Sequence, residues 1–167
     1  MSRVILTNGR FLIREANRGD VPHLVRFIRD LATFEQLSHE AIANEEDFEQ
    51  AFFGPFPRVF ALLACVEGKP VGVAVWYYTF STFTGRHGIY LEDLYVDPPF
   101  RRRGIAQGFF TSLARIAVQE GLRRFEWAVL DWNEDAITFY RRMGAVGMEE
   151  WTVQRVTGEA LERLAED

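Results

Sequence analysis

The stretch from Gly88 to Leu130 constrains the fold most, because its apolar pattern changes from strand to helix and back to strand. The helical part has its apolar face at Ile105, Phe109, Leu113, Ile116 and Ala117. Gly121 then ends that helix. Two strands joined by one helix form a right-handed crossover, so Gly88–Val96 and Arg124–Leu130 are predicted to lie side by side and parallel.

The residues before this crossover predict antiparallel strands. Phe11–Glu15 forms a short strand, and Val59–Val66 and Pro70–Phe80 are joined by a tight turn at residues 67–69. A first helix follows Asp20, with apolar positions at Val21, Leu24, Val25, Ile28, Leu31 and Ala32. A second helix spans Glu45–Phe53 and ends at a Gly-Pro pair.

The remaining chain adds three elements. Asn133 caps a further helix that ends at Gly144, and its first turn is acidic. A strand near Trp151–Val156 and a short helix from about Glu159 complete the prediction. The expected result is one domain over residues 1–167 of the α/β (α+β) class, with a mixed central sheet flanked by helices.

Charge and composition exclude several classes of protein. The formal net charge of −5 is unsuited to a nucleic-acid binder, which needs a basic face. No apolar run is long enough to cross a bilayer and Met1 to Arg10 lacks a signal-peptide pattern, so no membrane partner and a cytoplasmic location are expected. The three histidines show no metal-ligand spacing, so no metal is predicted, and the single cysteine, Cys65, is expected to be a packed core thiol.

The loop before the central helix has the features of an anion site. A helix N-terminus presents backbone N–H groups that lack partners, and its dipole favours negative charge. Gly104 and Ala106 would let a phosphate approach the backbone, and three arginines, Arg101 to Arg103, would surround it. Small residues also occur at helix starts for packing alone, and an arginine run also occurs in solvated loops.

Arg-x-x-Gly-x-Ala at residues 101–106, after Tyr90–Val96, resembles the acetyl-CoA motif of the GNAT acetyltransferase superfamily. Residues 128–133, Phe139-Tyr140 and Phe34-Glu35 resemble its diamine (spermidine/spermine) and thialysine branch. The resemblance covers nearly the whole chain and implies the GNAT fold, with antiparallel N-terminal strands and a splayed parallel pair.

The resemblance also implies acetyl-CoA as co-substrate. Its predicted contacts are Leu94, Tyr95, Val96, Arg101, Arg102, Arg103, Gly104, Ile105, Ala106, Gln107, Asn133 and Tyr140. Unpaired backbone groups at residues 94–96 would pair with the peptide-like pantetheine arm. Arg102 and Arg103 depart from the branch, which tends to have small or neutral residues there.

Two catalytic residues follow from the resemblance. Tyr140 is the predicted general acid that protonates the departing thiolate, because a phenol has a reference pKa of about 10. Glu92 is the predicted base. A glutamate with a reference pKa of about 4.3 is a weak base, so burial or a water relay would have to assist. The alternative is that Glu92 anchors the cation without accepting its proton.

The expected acceptor is a primary amine of a small cationic molecule. Phe34, Glu35, Glu92 and Trp132 are the predicted substrate contacts, and the loops resemble thialysine-preferring members more than polyamine enzymes. A homodimer is expected from the resemblance alone. Two rival interpretations are a protein or peptide N-acetyltransferase of the same fold and a non-catalytic acyl-CoA-binding module.

Overall fold

The computed structural model describes residues 2–166, so Met1 and Asp167 of the predicted domain lie outside the described residues. Within it the chain divides at Ala128 into two compact units.

The first unit is built on a six-stranded sheet whose strands follow one another in chain order. Its strands are β1 (Val4–Thr7), β2 (Leu12–Glu15), β3 (Phe60–Val66), β4 (Lys69–Ser81), β5 (Arg86–Val96) and β6 (Phe125–Trp127). All neighbours are antiparallel except β5 and β6, which are parallel. The predicted mixed sheet and parallel pair are therefore confirmed. Strand β1 was not predicted, and β6 is shorter than the predicted Arg124–Leu130.

Helices cover both faces of this sheet. Helices α1 (Val21–Phe34) and α2 (Glu45–Phe53) lie on one face, where Leu24, Phe27 and Leu31 join a core with Leu63, Val73, Val75 and Tyr95. Helix α3 (Ile105–Gln119) lies on the other face, because Phe109 approaches Gly72, the neighbour of Val73 on β4. Side chains alternate between faces along a strand, so the two cores are separate layers.

The second unit contains α4 (Glu134–Arg142) and α5 (Glu159–Glu166). The predicted cap is confirmed, because Asn133 Oδ1 accepts a hydrogen bond from the Ala136 N–H at 3.3 Å. The predicted strand near Trp151–Val156 is wrong: those residues form no strand. Their apolar side chains are exposed and no described segment pairs with them, and an alternating pattern becomes a strand only beside a partner.

None of the helices in the described part of the chain is both long and apolar enough to cross a membrane.

Candidate active site

A β-bulge interrupts β5 at Glu92. Val75 of β4 lies opposite Asp93, whereas the next residue, Trp76, lies opposite Leu91, so Glu92 is the extra residue. A bulge bends its strand and redirects the side chains beside it. The parallel pairing with β6 also stops here, at Leu91 and Trp127. From Asp93 to Val96, β5 is therefore paired with β4 only.

The open edge of β5 presents unpaired backbone groups. The Asp97 N–H donates to the Val71 carbonyl at 2.9 Å, and antiparallel pairing alternates, so Tyr95 also bonds towards β4. The backbone groups of Leu94 and Val96 consequently point to the open edge. The Val96 carbonyl accepts a hydrogen bond from Arg101 Nε at 2.9 Å. The remaining groups on this edge are available to an extended, amide-containing ligand.

The loop between β5 and α3 forms a backbone cradle. Arg102 and Gly104 have left-handed backbones, with φ of 59° and 84°. In the part of the chain that the structure describes, no hydrogen bond engages the backbone N–H groups of residues 102–107. A Cβ at Gly104 would meet nothing within 4 Å, so the space before these donors is open. Donors at the start of a 15-residue helix fit a pyrophosphate.

The three loop arginines differ in their contacts. Arg101 has its guanidinium carbon 5.3 Å from the Phe34 ring centre and 5.5 Å from that of Tyr95, in addition to its bond to Val96. It therefore fastens the loop to the end of α1. Arg103 lies 5.2 Å from the Phe100 ring centre, and both Arg102 and Arg103 are exposed. These two are the arginines placed to meet an incoming anion.

Three carboxylates form the acidic cluster: Glu35, Glu92 and Asp93. Burial, the charge of Glu92 and the charge of Glu35 raise the pKa of Asp93 to about 6. Burial also raises the pKa of Glu35, which directly follows α1. No arginine, lysine or histidine among residues 2–166 forms an ion pair with any of the three. The cluster therefore has uncompensated negative charge suited to a cation.

Two tyrosines flank Glu92 on the same face of the sheet. Tyr77 and Tyr90 are directly paired across β4 and β5, and their rings stack with centres 5.3 Å apart. Burial, followed by the charge and hydrogen bonding of Glu92, raises the pKa of Tyr77. Burial, followed by Glu92 and Glu126, raises the pKa of Tyr90. The Glu92 carboxylate thus lies beside the stacked rings of Tyr77 and Tyr90.

The other predicted site residues belong to the second unit. Asn133 caps α4, and the exposed Trp132 directly precedes it. Tyr140 lies on α4, with its ring centre 5.6 Å from that of Phe139.

Within the first unit, the structure brings Phe34 and Glu35 to the same region as Glu92, the open edge of β5 and the arginine loop. Three contributors to this region were not predicted from the sequence: Asp93, Tyr77 and Tyr90. Glu92 was predicted from the resemblance, and strict alternation along a strand would place its neighbour Asp93 on the opposite face. The adjacent acidic pair in a strand pattern was the available signal, because a bulge can bring both residues into one site.

The chain is similar in sequence and in fold to several known proteins. A model of the acetyltransferase (GNAT) family matches residues 25–145. Thialysine N-epsilon-acetyltransferase of Sus scrofa is 39% identical over 165 residues, covering 92% of this chain and 96% of the relative. L-ornithine N5-acetyltransferase of Arabidopsis thaliana is 28% identical, covering 91% and 86%. An integron cassette protein of V. cholerae superposes with a TM-score of 0.80 at 24% identity, over 96% of this chain and all of that one.

Proposed function

The chain belongs to the acetyltransferase (GNAT) family and is an N-acetyltransferase, and we propose that it acetylates the side-chain amine of a small cationic amino acid with acetyl-CoA. The acidic cluster of Glu35, Glu92 and Asp93 is the observation that carries this proposal. It lies where β5 leaves β6, beside the backbone edge that the pantetheine arm would follow. An ammonium group there would be attracted by carboxylates that form no ion pair with any arginine, lysine or histidine among residues 2–166.

The two enzymes compared above favour an amino acid over a polyamine. Their names specify thialysine and L-ornithine, which are α-amino acids with a terminal amine. The loop similarity noted in the sequence supports the same choice. We therefore propose thialysine, lysine or ornithine as the acceptor class, with Phe34 and Glu35 of the first unit contacting the substrate and Trp132 of the second unit contributing as well.

The residues of this chain fit acetyl-CoA, which supplies the activated acetyl group as a thioester. We propose that the N–H groups of residues 102–107 and the Arg102 and Arg103 side chains hold its pyrophosphate, whereas Arg101 holds the loop in place. Leu94 and Val96 would bind the pantetheine amides, and one of their N–H groups would polarise the thioester carbonyl. The backbone of Tyr95 pairs with β4, so Tyr95 would contribute by holding its neighbours Leu94 and Val96 in position. Asn133 and Tyr140 remain proposed contacts from the second unit.

Tyr140 is the proposed general acid. A phenol donates a proton to a departing thiolate effectively, since the two groups have similar reference pKa values. We expect Tyr140→Phe to reduce kcat about 10²- to 10⁴-fold while acetyl-CoA still binds. Tyr78→Phe is the matched control, because Tyr78 bonds to Glu120 of the α3 C-cap and has no proposed role in catalysis.

The test is thiol release from acetyl-CoA with thialysine, lysine, ornithine, spermidine, putrescine and a lysine peptide. Turnover of one or more of the amino acids, lost in Tyr140→Phe and retained in Tyr78→Phe, is the expected result. Preference for spermidine would overturn the substrate class, and preference for the peptide would indicate a protein acetyltransferase. Acetyl-CoA binding without turnover of any amine would favour the non-catalytic acyl-CoA-binding module.

We further propose that the protein acts as a cytoplasmic homodimer without a metal or a nucleic-acid partner. The resemblance supports the dimer, and the exposed Trp151, Val153 and Leu164 side chains of the second unit offer apolar surface for it. Light scattering of the purified protein should give twice the 19.3 kDa chain mass. A single-chain mass at micromolar concentration would contradict this proposal.

A further inference from the structure

We propose that Asp93 accepts the proton of the substrate ammonium and that the neighbouring Glu92 anchors the cation and passes the proton to solvent. This inference rests on the proposed amine acetyltransferase function and names the residue that performs one of its steps. Its basis is the β-bulge, which separates the two carboxylates into different environments although they are adjacent in the chain.

The bulge turns Asp93 towards the protein interior. Asp93 lies opposite Val75 on β4, and Val75 is a buried member of the core beneath α1. Two residues further along β5, Tyr95 is directly opposite Val73 in the same core. Asp93 therefore belongs to the α1-facing side of the strand and is partly buried there, whereas Glu92 is exposed. The inner carboxylate is shielded from water and the outer one is not.

No donor in the described part of the chain satisfies the Asp93 carboxylate. It takes part in no ion pair or side-chain hydrogen bond there. A shielded carboxylate without a partner holds a proton more readily than a hydrated one. This environment gives Asp93 the property that a general base needs near neutral pH, because its pKa is raised to about 6.

The groups around Asp93 are mostly acidic. Glu92 adjoins it on β5, Glu35 follows α1, and both charges raise its pKa after burial. The phenols of Tyr77 on β4 and Tyr90 on β5 lie near Glu92 and are neutral at neutral pH. Two arginines lie further along this face and are already engaged: Arg101 over the rings of Phe34 and Tyr95, and Arg26 in an ion pair with Asp97.

Proton transfer to Asp93 begins the proposed reaction. The ammonium N–H bond breaks and its proton forms an O–H bond on the Asp93 carboxylate, which leaves a lone pair on nitrogen. That lone pair forms the new C–N bond to the acetyl carbon as the C–S bond breaks. The departing thiolate takes a proton from the general acid, Tyr140. The phenolate is restored by the second proton that nitrogen loses, and Asp93 returns its own proton through Glu92 to water.

The first experiment compares the pH dependence of kcat/KM in four proteins: the wild type, Asp93→Asn, Glu92→Gln and Glu45→Gln. Glu45 is an exposed carboxylate on α2 and serves as the matched control. We expect the wild type and the control to lose activity as the pH falls through about 6. Asp93→Asn should lower kcat/KM at pH 7.5 by about 10²- to 10⁴-fold. It should also abolish the acidic limb of the pH profile, which is the loss of kcat/KM as the pH falls through about 6. Glu92→Gln should raise KM and move the limb to lower pH, because one of the charges that raise the pKa of Asp93 is gone.

A second readout needs no acetyl-CoA. Calorimetry of ornithine binding near pH 6, in two buffers with different ionisation enthalpies, counts the protons released on binding. A bound ammonium favours the ionised Asp93, so the wild type and Glu92→Gln should release a measurable fraction of a proton. Asp93→Asn should release less, even though its fold is intact by circular dichroism.

Two outcomes would overturn the inference while leaving the proposed function in place. One is an unchanged acidic limb in Asp93→Asn. The other is loss of the limb and of proton release in Glu92→Gln alone, which would make Glu92 the base. Absence of turnover with every amine in the wild type would instead reject the proposed function, and the two failures are thereby distinguishable.

Discussion

At the scale of single residues, environment separates side chains that look equivalent in the sequence. Asp93 and Glu92 are adjacent carboxylates, yet one is partly buried and the other is exposed. Arg101 and Arg102 are adjacent cations, yet Arg101 is held by Val96 and two aromatic rings, whereas Arg102 has a left-handed backbone in the loop. Side chains of the same chemical type therefore differ in role because their burial and their contacts differ.

Asp93→Asn is predicted to stabilise the protein at neutral pH. The pKa of Asp93 is raised from 3.8 to about 6 on folding, so ionisation of this group opposes folding. The cost is absent below about pH 4, grows as the pH rises to about 6 and is complete above it. We expect a gain of roughly 1–3 kcal/mol at pH 8 and almost none at pH 4, measured by urea unfolding of both proteins. Equal gains at both pH values would show that the carboxylate charge is not the cause.

At the scale of elements, the junction between β5 and α3 combines a bulge, an open strand edge and a helix N-terminus. Each of these features is common in proteins. Here they follow one another within 16 residues, 92–107, and so bring carboxylates, unpaired backbone donors and an anion cradle together. The bracing by Arg101 joins this junction to the end of α1. The end of α1, with Phe34 and the following Glu35, is thus held against the loop between β5 and α3.

Gly104→Ala should weaken cofactor binding more than it weakens the fold. Gly104 has a φ of 84°, and a new Cβ would meet no protein atom within 4 Å. The left-handed backbone should cost roughly 1 kcal/mol in unfolding free energy. The methyl group would, however, occupy the space proposed for the phosphates. We expect the Kd for CoA to rise at least about tenfold by calorimetry, which corresponds to about 1.4 kcal/mol. An unchanged Kd would place the pyrophosphate elsewhere.

Gly108→Ala should show the reverse pattern. A Cβ at Gly108 would lie 2.8 Å and 3.0 Å from atoms of the Phe11 ring and 3.0 Å from Ile13 Cδ1, because α3 packs closely on β2. Overpacking of this kind typically costs about 1–3 kcal/mol. The free energy of unfolding should fall by that amount, while Kd for CoA changes little in the folded fraction. An unaltered unfolding midpoint would mean that α3 moves outward at no cost.

At the scale of the whole molecule, charge should affect the two substrates to different extents. The chain has a net charge of −5, and its acidic cluster adds local negative potential. Salt screens exposed charges over about 8–10 Å at moderate ionic strength. We expect kcat/KM for the cationic amine to fall several-fold between 20 mM and about 300 mM NaCl, whereas KM for the anionic acetyl-CoA is less affected by the net charge. A cationic-amine rate independent of salt would indicate that the acidic cluster does not steer binding.

Sequence alone determined the mixed sheet, the crossover, most helix ends and the family, because these depend on local periodicity and on motifs that are continuous in the chain. Gly104, the arginine loop and Glu92 were identifiable for the same reason. Only the tertiary structure decided that Asp93 belongs to the site, because a bulge is a relation between two strands and cannot be seen in one. It also decided that Trp151–Val156 forms no strand, since an alternating pattern requires a partner that the described chain does not supply. Contacts between distant segments, such as Arg101 with Phe34, depend on packing and are absent from any local pattern.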